Sequence, residues 1–326
     1  MTSGKADGRP GEFALIAELF APLSAKAPGA FGLTDDAAVL APPPGHELVL
    51  KTDAIVEGVH FFKDDPADTV GRKALRVNLS DLAAKGAEPV GYLMALLLPA
   101  WPDIVWLRAF ADGLAADQAR FGLALMGGDT SSTPGPLAVS ISAFGVVPEG
   151  AMIRRAGAAP GDLVFVTGTI GDAGGGLAVL KENRSDEFPS LVARYRQPEP
   201  RLALGRALRG VASAALDVSD GLIADLRHIA DVSNVRIEVE AERVPLSNTL
   251  RKLWGDDAVV RAATSGDDYE IAFTVKPALR SEVDASAARA GVVVTEIGRV
   301  TKGEGVALLD RAGKKIAIAR DGYTHF

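Results

Sequence analysis

The chain of 326 residues holds 35 Lys and Arg against 42 Asp and Glu, a net charge of -7, with 48% hydrophobic and 24% charged residues. Those values fit a soluble globular protein of about two domains and disfavour disorder, while the acidic balance argues against a nucleic-acid partner. With no cysteine present, disulfides, thiolate nucleophiles, zinc-thiolate sites and iron-sulfur ligation are excluded, so any chemistry uses oxygen and nitrogen groups.

The N-terminal stretch MTSGKADGRP is polar and has no basic segment leading into an apolar one, so no signal peptide is expected and the cytoplasm is the default. Residues 12–25 read as an amphipathic helix, with Phe13, Ile16, Ala17 and Phe20 on one face. Residues 37–40 and 47–52 read as strands opening a meander, separated by the break at Pro42, Pro43, Pro44 and Gly45. A helix is expected over 68–84, a buried strand over 90–98, a helix over 103–121, a short strand over 123–126 and a longer one over 137–147. The apolar run at 90–98 stops at Pro99, far short of the roughly 20 residues that span a bilayer, so no membrane partner is expected.

Residues 148–162 are rich in turn formers and mark the candidate boundary between a domain at 1–149 and another at 150–326. Beyond it, the pattern predicts a strand over 163–167, a helix over 171–180 and a polar break reaching Pro189. Helices over 199–208 and 221–233 follow. Strands over 235–239, 269–275, 292–297 and 306–309 complete the order, with a helix over 277–290 among them. The expected class is an N-terminal α/β domain joined to an α+β domain.

No P-loop, dinucleotide fingerprint or nucleophile elbow occurs, and the histidines at 46, 60, 228 and 325 are too scattered for a metal triad. Aspartates stand out instead, in Thr34-Asp35-Asp36, Lys51-Thr52-Asp53, Gly127-Gly128-Asp129, Asp217-Val218-Ser219-Asp220-Gly221 and Gly266-Asp267-Asp268. Taken singly, each is better read as structural: Asp220 as a helix N-cap, Asp35 and Asp36 as a turn pair, Gly128 and Asp129 as a hairpin tip, His60 as a packed or capping histidine, Asp81 as a solvated helix residue. Taken together, many carboxylates converging on one cleft repel unless cations intervene, and Mg²⁺ with substrate phosphates supplies the cation. Gly128 would let the backbone approach a phosphate closely. The aggregate points to clustered Mg²⁺ ions that neutralise the carboxylates and bound phosphates together.

The same strings resemble the thiamine-monophosphate kinase family, within the aminoimidazole ribonucleotide synthetase superfamily. They are Gly11-Glu12-Phe13, Thr34-Asp35-Asp36-Ala37-Ala38, Val56-Glu57-Gly58-Val59-His60-Phe61, Asn78-Leu79-Ser80-Asp81-Leu82-Ala83-Ala84, Gly127-Gly128-Asp129-Thr130, Val218-Ser219-Asp220-Gly221-Leu222, Asp268-Tyr269-Glu270 and Gly322-Tyr323-Thr324-His325-Phe326. The resemblance implies direct transfer of the ATP γ-phosphoryl group to thiamine monophosphate, giving thiamine diphosphate and ADP, by a homodimer whose N-terminal domains associate through their strands. It implies Asp36, Thr52, Asp53, Asp81, Asp129, Asp217 and Asp220 as ligands of several Mg²⁺ ions, with Asp53, Asp129 and Asp217 as the catalytic carboxylates. Gly128, Asp129, Arg155 and Ser219 would contact ATP; His60, Asp267 and Tyr323 would line the thiamine monophosphate site. Two positions depart from the family pattern, with Thr34 in place of Gly and Asp267 in place of Glu.

Rival readings are a purine-pathway ligase, which the 56–61 string and the C-terminal tail disfavour, and relatives whose reaction needs a cysteine, which this chain lacks. A non-catalytic nucleotide or metal sensor would bind ATP without turnover.

Overall fold

The computed structural model describes residues 12–99 and 103–323. Gly11 and the tail residues Thr324, His325 and Phe326 of the motifs above lie outside them. The described residues divide into two compact units, one gathering 12–44, 50–78, 89–99 and 103–145, the other 45–49, 79–88 and 146–323.

The first unit opens with α1 (Glu12–Leu15), a π-helical turn Ile16–Phe20, and 3-10 turns Ala21–Ser24 and Pro28–Leu33. Then come β1 (His46–Val56), α2 (Ala67–Ala84), β2 (Glu88–Leu98), α3 (Ile104–Phe121), β3 (Ala124–Ser132) and β4 (Ala138–Pro148). The strands form one sheet in the order β1-β4-β2-β3, with β2 and β3 parallel. Alternation sets the faces: on β4, Val139, Ile141 and Ala143 are buried while Ser140 and Ser142 are half-buried on the other side. Asp103 caps α3 by accepting from the Val105 amide at 3.1 Å, and Gly122 ends it in the left-handed region. Buried Asp117 on α3 accepts Arg76 of α2 in a fork at 2.6 and 2.8 Å and Arg72 at 3.0 Å, pinning the two helices together.

The second unit contains β5 (Leu163–Thr167), α4 (Asp172–Lys181), α5 (Pro189–Arg196), α6 (Leu202–Ala207), β6 (Ala214–Asp217), α7 (Leu222–Ser233) and β7 (Arg236–Glu240). It continues through α8 (Asn248–Trp254), α9 (Ala258–Ala263), β8 (Ile271–Val275), α10 (Arg280–Ala290), β9 (Val294–Thr301) and β10 (Gly305–Leu309). A six-stranded sheet in the order β10-β7-β9-β5-β8-β6 is antiparallel except for the β10-β7 pair. Its core packs Val164, Val166, Leu216 and Ala272 of the strands with Leu222, Leu226 and Ile229 of α7.

Several expectations need correction. Residues 12–25 are helical but not one α-helix: Pro22 has no amide to continue the ladder, and the Ala21 amide reaches back to the Ile16 carbonyl in a wider turn. Residues 37–40 form no strand and no meander starts there: Val39 is 66% exposed and its amide bonds to the Gly29 carbonyl, at 2.9 Å, while the prolines that follow have no amide to offer a ladder. Gly128 and Asp129 are not a hairpin tip, because β3 runs on through them beside Met94 and Ala95 of β2. The helices α5, α8 and α9 and the strand β6 were not anticipated. All four are at most eight residues long, too short to show a period.

Candidate functional site

In the first unit, Asp36 is exposed just after the Pro28–Leu33 turns, which pack against β3, the strand of Asp129. Its amide donates to Asp35 Oδ1 at 2.8 Å. Thr34, where the family resemblance leads one to expect Gly, has a φ of -105°, ordinary for any residue, and its hydroxyl donates to the Phe31 carbonyl at 2.7 Å. The left-handed backbone lies earlier, at Phe31, Gly32 and Leu33.

Thr52 and Asp53 are neighbours on β1, so their side chains leave opposite faces. Thr52 donates to the Ile141 carbonyl at 3.1 Å and accepts from Ser142 Oγ at 3.1 Å, whereas Asp53 lies 3.2 Å from the Lys51 ammonium. His60 follows a tight turn in which its Nδ1 accepts from the Val56 amide at 3.1 Å, which places the proton of the neutral ring on Nε2. The capping role expected of a lone histidine is therefore present. Lys73, only 2% exposed, donates to the His60 carbonyl at 2.8 Å and fixes that turn. Asp129 is exposed on β3 and accepts from Ser131 Oγ at 2.8 Å. A Cβ at Gly128 would stand 1.9 Å from the Met94 carbonyl, so its missing side chain serves the close pairing of β3 with β2.

The second unit brings more of the expected residues together. Asp217, 5% exposed, ends β6, and the chain then turns through Val218, Ser219 and Asp220 into α7. Arg155 is exposed beside β6, where the preceding Arg154 carbonyl accepts from the Ala215 amide at 2.9 Å. Asp81 lies near the end of α2, next to Ser80, whose hydroxyl reaches the Tyr269 carbonyl at 3.4 Å. The Val218 amide donates to the Glu270 carbonyl at 2.8 Å, the Tyr269 amide to the Val218 carbonyl at 2.7 Å and the Asp267 amide to the Ser219 carbonyl at 2.8 Å. The Tyr323 amide closes the set, donating to the Asp220 carbonyl at 2.9 Å. Asp217, Ser219, Asp220, Asp267 and Tyr323, spread over about a hundred residues of sequence, are thus tied into one loop cluster.

Asp220 is not the cap of α7. The amides of Ser219, Asp220 and Gly221 all donate to Asp225 Oδ2, each at 3.0 Å, so a residue inside the first helical turn satisfies them. Burial raises the Asp225 pKa to about 7, with the charge of Asp220 adding to the rise and the three amides opposing it. Asp267 and Tyr269 both have positive φ, 69° and 51°, and the chain between them is clamped. Asp268 is fully buried and accepts from the Gly171 amide at 2.7 Å and the Ala173 amide at 3.4 Å, at the start of α4. Burial drives its pKa well above the usual carboxylate range. Glu270, also fully buried, is forked by Arg201 and bonded by Arg194, which donates to the Asp268 carbonyl as well, at 2.9 Å.

Lys73, Asp225, Arg194 and Arg201 were missed by the sequence reading, while Asp268 and Glu270 stood within its motifs without a role. One signal was there for Asp225: it lies three residues after Leu222 and four before Ile229, on the apolar face of its helix. The donor set suits Mg²⁺, since the candidate ligands are carboxylates and a hydroxyl, the hard oxygens that ion prefers. In the second unit, one ligand atom each of Asp220, Asp225 and His228 lies within 4.8 Å of the others.

Residues 34–147 match the model of the AIR synthase related protein N-terminal domain, and 159–311 that of its C-terminal domain. The chain is 46% identical to thiamine-monophosphate kinase of Caulobacter vibrioides over 322 residues, covering 97% of this chain and 91% of that one. Among solved structures, thiamine-monophosphate kinase from Stenotrophomonas maltophilia K279a is 42% identical, with a TM-score of 0.81 over 87% of this chain and 91% of the other. AaThiL complexed with AMPPCP and TMP superposes with a TM-score of 0.78 at 33% identity, covering 97% of each chain.

Proposed function

The chain belongs to the thiamine-monophosphate kinase family of AIR synthase related proteins, and from that membership we propose direct in-line transfer of the ATP γ-phosphoryl group to thiamine monophosphate, assisted by several Mg²⁺ ions. It is an enzyme of that family, and ATP-dependent phosphorylation of thiamine monophosphate is its reaction. The observation that carries this reading is a relative, alike over 97% of its length, that holds an ATP analogue and TMP together. The product is thiamine diphosphate, so the reaction is the final step in making that cofactor.

In this reading Asp36, Thr52, Asp53, Asp81, Asp129, Asp217 and Asp220 hold the Mg²⁺ ions, and Asp53, Asp129 and Asp217 are the catalytic members. Bound there, the ions neutralise charge on the phosphoryl group in flight. Gly128, Asp129, Arg155 and Ser219 bind the nucleotide, the arginine as a cation for its phosphates. His60, Asp267 and Tyr323 line the thiamine monophosphate site; Tyr323, 46% exposed, offers a ring face suited to a cationic thiazolium. Asp267, one methylene shorter than the family's Glu, accepts from the Tyr269 hydroxyl at 3.3 Å, and a bridging water would make up the missing reach to the substrate.

The acceptor phosphate is itself the nucleophile and is already largely ionised at neutral pH, so no strong general base is needed. Its oxygen attacks the γ-phosphorus, the bond to the β-γ bridging oxygen breaks, and ADP leaves with that electron pair. No covalent phosphoenzyme forms. ATP made chiral at the γ-position tests this: one direct displacement inverts the configuration, while retention would require an enzyme-bound intermediate and reject the direct route.

We also place the domain boundary at 149/150, and propose a cytoplasmic homodimer formed through the N-terminal strands. Two observations support the dimer: β1 is an edge strand, and it leaves Leu48 and Leu50 37% and 68% exposed. No described helix is long and apolar enough to cross a membrane.

A further inference from the structure

The loop from Asp217 to Gly221 has peptide groups that face two ways. On one side, the amides of Ser219, Asp220 and Gly221 converge on the single oxygen Oδ2 of Asp225, which is 2% exposed. On the other, the Ser219 carbonyl accepts from the Asp267 amide and the Asp220 carbonyl from the Tyr323 amide. Residues 219 and 220 are therefore bonded to Asp225 through their N–H groups and, through their C=O groups, to Asp267 and Tyr323, two of the three substrate-facing residues. We propose that Asp225 is a positioning residue that couples the magnesium- and nucleotide-facing side of this loop to its thiamine monophosphate-facing side.

Three N–H donors aimed at one atom favour a carboxylate, whose charge-assisted bonds are roughly twice as strong as those to a neutral acceptor. Rotation of the loop away from Asp225 would carry the Ser219 and Asp220 side chains with it and drag the backbone of Asp267 and Tyr323 through the carbonyl bonds. Helix capping alone gives no such linkage: its loss would lower stability and leave both ligand sites as they were.

The inference rests on the functional reading for the identity of the ligands. Its test compares the unaltered protein with Asp225→Asn, Gly322→Ala and Asp162→Asn. A Cβ at residue 322 would stand 2.6 Å from both the Asp220 carbonyl oxygen and the Ala224 Cβ, so Gly322→Ala displaces the same peptide from its outer side without touching Asp225. Asp162 is a buried carboxylate of the same unit bonded to the Ala159 amide and to Ser213, which lies at the opposite end of β6 from the loop.

Two midpoints are read from thermal stabilisation: that for Mg²⁺ at fixed AMPPCP, and that for thiamine monophosphate at saturating Mg²⁺ and AMPPCP. The expected result is that both rise together in Asp225→Asn and in Gly322→Ala, by about tenfold or more, and that neither moves in Asp162→Asn even though its melting temperature falls. A lower melting temperature in Asp225→Asn with both midpoints unmoved, or a shift in only one of them, overturns the proposal. If Asp225→Asn does not fold, Gly322→Ala decides by the same criterion. Should the unaltered protein turn over no thiamine monophosphate, the functional reading falls by itself. The Mg²⁺ midpoint then decides the inference alone: a shift in the variants supports it, and no shift overturns it.

Discussion

Asp53 lies 3.2 Å from the Lys51 ammonium, so in this structure its charge is balanced by a neighbour two residues away on the same face of β1. Binding of Mg²⁺ there would replace that partner. Asp53→Asn keeps the shape and removes the charge; turnover is expected to fall by about a hundredfold, with a higher Mg²⁺ requirement. Unchanged turnover and unchanged Mg²⁺ dependence would remove Asp53 from the metal site.

Asp268 gives a second test at this scale, because its folded pKa is raised by burial while the unfolded chain titrates near the ordinary value of about 3.9. Above that value the folded state retains a proton the unfolded state has lost. The stability this group confers is therefore fullest below the unfolded pKa and is lost as pH rises toward the folded one. Relative to Asp268→Asn, the unaltered protein is expected to lose unfolding free energy across a urea series at increasing pH above about 4. Parallel pH curves for the two proteins would contradict the shift.

The aspartates of the candidate site were legible in the sequence because turns and strand ends gather them in short strings. Their supports were much less so: Asp225 shows only as an aspartate on the apolar face of its helix, and Glu270 looks like any polar residue before a strand. What distinguishes them is burial beside their partners, the amides of Ser219, Asp220 and Gly221 for Asp225 and the sequence-distant Arg201 for Glu270.

Among the elements, β3 offers the clearest separation of structural from functional readings. Gly128→Ala would drive a methyl group into the Met94 carbonyl, whereas at Gly127 a Cβ would meet only the tip of Leu93, at 3.2 Å. Gly128→Ala is expected to lower the melting temperature by several degrees, on the scale of overpacking costs of about 1–3 kcal/mol, and Gly127→Ala to change it little. Loss of ATP affinity at full stability would instead show that the residue is glycine for the sake of the phosphate. On the helices, Asp117→Asn leaves Arg76, whose side chain is 4% exposed, without its charged partner, and is expected to cost about 3–5 kcal/mol in denaturant unfolding. A loss within error would mean that the pair is no anchor.

Long elements were legible: the helix expected over 103–121 is observed as Ile104–Phe121 with Asp103 capping it, and the strand at 163–167 stands as read. Patterning failed where partners decide. Val39 and its neighbours have the residues of a strand but no adjacent ladder, and the chain at 127–132 has the glycines of a turn but lies along β2.

For the whole molecule, the two-domain α/β and α+β class followed from the order of elements, and the sheet orders did not, because nothing local tells β4 to pair between β1 and β2. The proposed dimer is checked by Leu50→Asp, which puts a charge on the exposed face of the β1 edge; sedimentation is expected to show a shift from dimer to monomer, and an unaltered dimer would move the interface elsewhere.

The central claim is the choice of acceptor. With ATP and Mg²⁺, ADP and thiamine diphosphate should appear in equal amounts from thiamine monophosphate, and no phosphorylated product should form from thiamine or formylglycinamidine ribonucleotide. Tight ATP binding without thiamine diphosphate, or turnover of the ribonucleotide, would contradict the account.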